Sequence, residues 1–98
     1  MADAEKNVCS QSWQGKHGEN ITLKNDNAKI VTVGPDTKTN LPWPFSNPTN
    51  PFSVPAKVGN NPGTYPVTLK AAAGNYGYST TGCPGDPKEV NPKTVIIT

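Results

Sequence analysis

The chain has 98 residues, 33% of them hydrophobic, with nine glycines, eleven prolines and a net charge of +2. At this length there is room for one domain over residues 1–98, and the Gly/Pro content disfavours long helices. All nine basic residues are lysines, scattered without a run. A chain without arginine forks to grip phosphates or read base edges is a poor candidate for specific nucleic-acid recognition.

Residues 1–6, Met1 to Lys6, read as a flexible tail and as the start of a mature chain whose export signal has been removed. A short strand is expected from Val8 to Trp13, then a polar turn through Gly15-Lys16-His17-Gly18. Asn20-Ile21-Thr22-Leu23-Lys24 alternates apolar and polar residues as a half-buried strand does. Asn25-Asp26-Asn27 is a turn, since Asx side chains bond their own backbone. Lys29-Ile30-Val31-Thr32-Val33 follows as a β-branched strand ended by Gly34-Pro35-Asp36, and the two strands are expected to pair as a hairpin.

Residues 40–56 carry five prolines, which remove donors and fix φ, so this stretch reads as a long, stiff surface excursion. Phe52, Val54, Ala56 and Val58 keep a period of two, so the second half is expected to form an edge strand that tolerates Pro55. Tyr65, Val67 and Leu69 then share the core face of a further strand. The short link Ala71-Ala72-Ala73-Gly74 suggests a hairpin into a strand with Tyr76 and Tyr78 on one face. Cys83-Pro84-Gly85-Asp86-Pro87 turns the chain. The closing strand Lys93-Thr94-Val95-Ile96-Ile97-Thr98 has a continuous apolar middle, which suggests burial between two layers. Six or seven short strands at this spacing predict an all-β fold, a Greek-key β-sandwich of about seven strands.

Chemistry-bearing residues are few. Cys9 and Cys83 form no CxxC pair, and His17 is the lone imidazole, so no metal ligand set and no cofactor is expected. A Cys9–Cys83 disulfide is the better use of the two thiols, pointing to a periplasmic or extracellular location. The carboxylates fall in tails and turns, and with one histidine in an exposed turn no nucleophile is given a base, so an enzyme is not expected. Prolines on both sides of Trp43 pre-organise an aromatic loop, making Trp43 and Phe45 the candidate binding residues for a protein or carbohydrate partner. The alternative is that both rings fold back as a lid over one end of the sandwich. Pro48-Thr49-Asn50-Pro51 matches PxxP without a neighbouring basic residue, and Asn20-Ile21-Thr22 is a glycosylation sequon inside an expected strand. No apolar run is long enough to span a bilayer, and a monomer is expected.

From Gly63 to the end the arrangement resembles the cupredoxin-like sandwich. That family leads a G-x-Y-x-[YF]-x-C strand into a ligand loop and then a final strand. Gly74-Asn75-Tyr76-Gly77-Tyr78-Ser79-Thr80 matches the glycine and both aromatics, with Thr80 at the copper cysteine's place and Cys83 three residues later. The resemblance implies the sandwich and the terminal strand pair. With one histidine and only Met1 as a thioether, the ligands of a blue-copper centre are missing, which implies a copper-free relative. An immunoglobulin-like sandwich accounts for the same strands. The sequence thus points to a secreted, non-catalytic binding or structural module, with a copper-binding or redox protein using Cys83 and His17 as the alternative.

Overall fold

The computed structural model describes residues 4–84 and 92–98. Nine strands occur among them: β1 (Ala4–Asn7), β2 (Ser12–Gly15), β3 (Asn20–Asn25), β4 (Val31–Pro35), β5 (Phe45–Asn47), β6 (Phe52–Val54), β7 (Gly63–Leu69), β8 (Gly74–Thr81) and β9 (Lys93–Ile97). They build two sheets, β1-β3-β7-β5 and β2-β9-β8-β4-β6, packed face to face as a β-sandwich. Period-two alternation supplies the core between them. Ile21 and Leu23 of β3 and Val67 and Leu69 of β7 face Val31 and Val33 of β4 and Val95 and Ile97 of β9.

Each lateral side of the sandwich is closed by one chain segment that leaves one sheet and joins the other. On one side β1 pairs parallel to β3, the chain crosses over at residues 8–11, and β2 pairs parallel to β9. On the other, β5 edges the first sheet beside β7 and β6 edges the second beside β4. The strand expected from Val8 to Trp13 is instead the crossing at residues 8–11, with Val8 buried, followed by the first two residues of β2. Ala4 to Lys6 belong to β1 rather than to a tail. Their pairing with β3 is made by backbone groups, so the polar side chains gave no alternation to read. Residues 1–3 of that tail and residues 85–87 of the Pro/Gly turn lie outside the described residues.

Three further expectations are corrected. β3 and β4 do not form a hairpin, because the chain passes between sheets at Asn25-Asp26-Asn27. Asn25 is fully buried there, and its Nδ2 donates to Lys29 O (2.8 Å) and Pro55 O (3.1 Å) while its Oδ1 accepts from Asn27 N (2.9 Å). The link 71–73 likewise crosses between sheets, from β7 to β8, instead of closing a hairpin. The closing strand is half-buried, with Val95 and Ile97 inward and Ile96 41% exposed, since β9 has solvent and not a third layer on its outer face.

The excursion 40–56 is part of the sandwich, contributing one edge strand to each sheet, β5 and β6. Phe52 and Val54 are buried as the alternation requires, but Val58 is 75% exposed, so the period ends with β6. Before β5 the chain crosses β8 at Gly77. A Cβ there would stand 2.9 Å from Leu41 Cδ1 and 3.1 Å from Leu41 Cβ and Lys93 O, so a larger residue would press on both neighbours, and Gly77 N donates to Pro42 O (3.1 Å).

Candidate functional site

Trp43 lies where the chain crosses into the first sheet. Lys70 N bonds Pro44 O, which fixes the backbone beside it. The indole Nε1 donates to Pro48 O at 2.9 Å, and the ring stands edge-on to Phe45 (5.3 Å) and Phe52 (6.1 Å). Trp43 is half-buried. Tyr65, also half-buried, stacks on Phe52 at 4.4 Å, so one corner of the sandwich presents two partly exposed rings over a buried one, bordered by Pro48. Four prolines around it, Pro42, Pro44, Pro48 and Pro51, restrict the backbone that carries it.

Phe45 is not at that surface. It is 0% exposed and sits among Trp13 (6.4 Å), Tyr78 (5.9 Å), Phe52 (5.7 Å) and Trp43, so it anchors the core instead of meeting a partner. The reason is its place on β5, whose inward positions are opposite Leu69 of β7. Of the two sequence candidates the structure leaves Trp43 partly exposed, and beside it stands Tyr65, which shares the core face of β7 with Val67 and Leu69 but lies at the margin of the core.

Trp13 and Tyr78 form a second polar arrangement inside the core. Trp13 Nε1 donates to the Tyr78 hydroxyl (2.9 Å), which in turn donates to Val8 O (2.9 Å), so both polar tips are satisfied without water. Burial pushes the Tyr78 phenol far above its usual range, only partly opposed by the Trp13 N–H. It is a structural hydroxyl.

Cys9 and Cys83 are joined as a disulfide, with Cα atoms 5.6 Å apart, tying the β1–β2 crossing to the end of β8. Asn27 Nδ2 donates to Cys9 Sγ at 3.3 Å. Beside the link an open groove of about 620 Å³ runs between Asn27-Ala28-Lys29 and Thr80 to Pro84. His17 is elsewhere and exposed; its backbone N–H donates to the Thr98 main-chain oxygen, with Nδ1 3.0 Å from the same atom. Hence Cys83 and His17 are not brought together, and the bonded sulfur offers no thiolate. Among the described residues no group of three His, Cys, Asp or Glu is placed to hold a metal ion, and no helix is long and apolar enough to cross a membrane.

Asp36 lies in a turn, as the sequence suggests, but it is buried there. It is only 5% exposed and accepts from Lys38 N, Thr39 N, Thr39 Oγ1 and Leu41 N at 2.5–3.1 Å. Burial opposes its ionisation, but the Thr39 hydroxyl and the three backbone donors outweigh that and hold the carboxyl down to about 2. The signal was present as Asp followed by Thr at the third position, an Asx turn closed by a hydroxyl. This turn aims the chain at Leu41 and thus sets the start of the Trp43 segment. Comparison with protein-family models, curated proteins and solved structures finds no match to this chain.

Proposed function

We propose that this chain is a non-catalytic, exported binding or structural module, a copper-free relative of the cupredoxin-like sandwich, whose partner meets the Trp43 corner. What carries the reading is the partly buried indole, which keeps some surface on a proline-restricted backbone. Its N–H is already bonded to Pro48 O and its ring is braced by Phe45 and Phe52, so docking a sugar face or a peptide ring costs little side-chain ordering. Tyr65 widens the same surface. The Cys9–Cys83 disulfide is consistent with an oxidising environment, from which periplasmic or extracellular residence is inferred. A non-catalytic reading is supported by the lone imidazole, which lies within bonding distance of a main-chain oxygen, and by Asp36, whose acceptors are taken up by its own turn.

The test screens soluble oligosaccharides and peptides against the intact protein, then repeats every positive with Trp43→Ala. The expected result is loss of binding in the variant with the fold retained by circular dichroism. Interactions that all survive the substitution would remove Trp43 as the site.

A further inference from the structure

The end of the sandwich that carries the disulfide holds a groove in which the Trp43 corner has no part. One wall is Asn27-Ala28-Lys29, from the crossing between β3 and β4, and the other is the end of β8 with the residues that follow it to Pro84. The chain segments approach this closely because position 82 carries no side chain: a Cβ on Gly82, whose φ is +111°, would stand 2.4 Å from Ile30 O. The groove holds about 620 Å³, inside the range of about 300–1,000 Å³ found for small-molecule sites.

Its lining is mostly apolar, and the amide of Asn27 is already committed, Nδ2 donating to Cys9 Sγ (3.3 Å) and Asn25 Oδ1 (2.9 Å). The bonded sulfur of Cys83 has no hydrogen to donate. Ile30, beside Gly82 and 58% exposed, continues the apolar surface outward. Among the described residues the lining carries one charge, the exposed Lys29, whose ammonium is engaged in no ion pair or hydrogen bond with them. Lys57 N donates to Asn27 O (2.8 Å), which sets a second exposed lysine beside the same wall, whereas the neighbouring acid, Asp26, accepts from Asn7 Nδ2 (3.2 Å). The result is an apolar trough with a cationic rim.

We propose that this groove binds an aliphatic carboxylate, its chain lying along Ala28, Cys83 and Pro84 and its carboxylate meeting the Lys29 ammonium. Charge and polarity select this class among small ligands. A neutral aliphatic molecule leaves Lys29 without a counter-charge, an aliphatic cation is repelled by Lys29 and Lys57, and a polyhydroxylated ligand loses its water against walls that offer few free hydrogen-bonding groups. The groove is open and Lys29 is exposed, so the ion pair is screened and adds only about two- to fivefold to the affinity, while fixing which end of the ligand lies at the rim. For a ligand of about a dozen non-hydrogen atoms in such a groove the Kd is of order 0.1–1 mM.

Titration of decanoate into the isotope-labelled full chain, with backbone amides followed by NMR and with decanol and decyltrimethylammonium as probes of the same chain length, tests the proposal. The expected result is saturable shifts at Ala28, Lys29, Thr81 and Gly82, with decanol bound about two- to fivefold more weakly and the cation more weakly still. Lys29→Gln should lower decanoate affinity by about the same factor and leave that of decanol unchanged. Ala28→Trp fills the groove from an exposed position and should abolish the shifts. Should that variant prove misfolded by circular dichroism, Thr81→Trp, on the opposite wall, decides in its place. Shifts that do not saturate or that lie away from the groove, decanol bound as tightly as decanoate, an affinity for decanoate indifferent to Lys29→Gln, or binding that persists in the folded tryptophan variant would each overturn the proposal.

Discussion

On the side closed by β1 and β2, the crossing between sheets is short, its edge pairs are parallel, and a covalent link at Cys9 ties it to the end of β8. On the side closed by β5 and β6, the crossing has no covalent tie; it is packed by Phe45, Phe52 and Trp43 and restricted by prolines. A domain this small buries a modest fraction of its surface, so each side needs its own means of staying shut. One limits the unfolded chain and the other fills the folded core. The difference between them is open to experiment because the two means respond to different perturbations.

The largest effect is expected on the aromatic side. Phe45→Ala empties the centre of a ring cluster that touches both sheets, at a cost of about 3–5 kcal/mol in denaturant-unfolding stability. Close behind, replacing both Cys9 and Cys83 with Ser releases a loop spanning 74 positions, worth about 4 kcal/mol in the chain-entropy model. The two variants should differ in kind. The serine pair leaves near-UV aromatic circular dichroism intact while the protein remains folded, whereas Phe45→Ala changes it, since the Trp13 and Tyr78 rings lose their neighbour. Equal spectral changes in both would mean that the sides are not independent.

A smaller effect separates the sides by pH. Asp36 orders the turn that feeds the proline-rich segment, and its carboxyl is held at about 2 against an ordinary 3.8. A depressed folded pKa means that the contribution is complete above the ordinary value and disappears as pH falls from about 4 toward 2. The stability lost is of order 1 kcal/mol, and Asp36→Asn should flatten that part of the pH profile. The disulfide has no titrating group in that window, so the serine pair should keep the wild-type slope. If it abolishes the slope instead, the acid transition belongs to the other side.

How legible the two sides were follows from the same chemistry. Alternation in Ile21-Thr22-Leu23 and in Tyr65-Pro66-Val67-Thr68-Leu69 marked both central strands of the first sheet, because one face of each is buried along its length. The cysteine pair was legible by elimination of metal chemistry, and the structure contains it. The crossings were not legible. Whether Asn25-Asp26-Asn27 returns the chain to its own sheet or passes it to the other depends on Asn25 reaching Pro55 O as well as the nearby Lys29 O, and the first of these contacts is distant in sequence. The prolines of 40–56 read as exclusion from the sheets, but they bracket edge strands, where a missing donor costs nothing. Thus Phe45 was assigned to the surface by its neighbours, although its partner Leu69 places it inside.

The smallest stability effect is expected at the residue on which the functional reading depends. Trp43 is only half-buried, and its contacts with Phe45 and Phe52 are edge-on. Trp43→Phe keeps most of the apolar contact and loses the Nε1 bond to Pro48 O, at a cost of about 1 kcal/mol. A core residue and a surface anchor are distinguished by the ratio of two losses. For a core residue, stability falls first and binding follows only as the fold is lost. For an anchor, binding falls in a protein whose unfolding midpoint has scarcely moved. Trp43→Phe should show the second pattern and Phe45→Leu the first. If the two substitutions lower stability equally and binding not at all, Trp43 is a lid over the β5–β6 side and its exposed face has no partner.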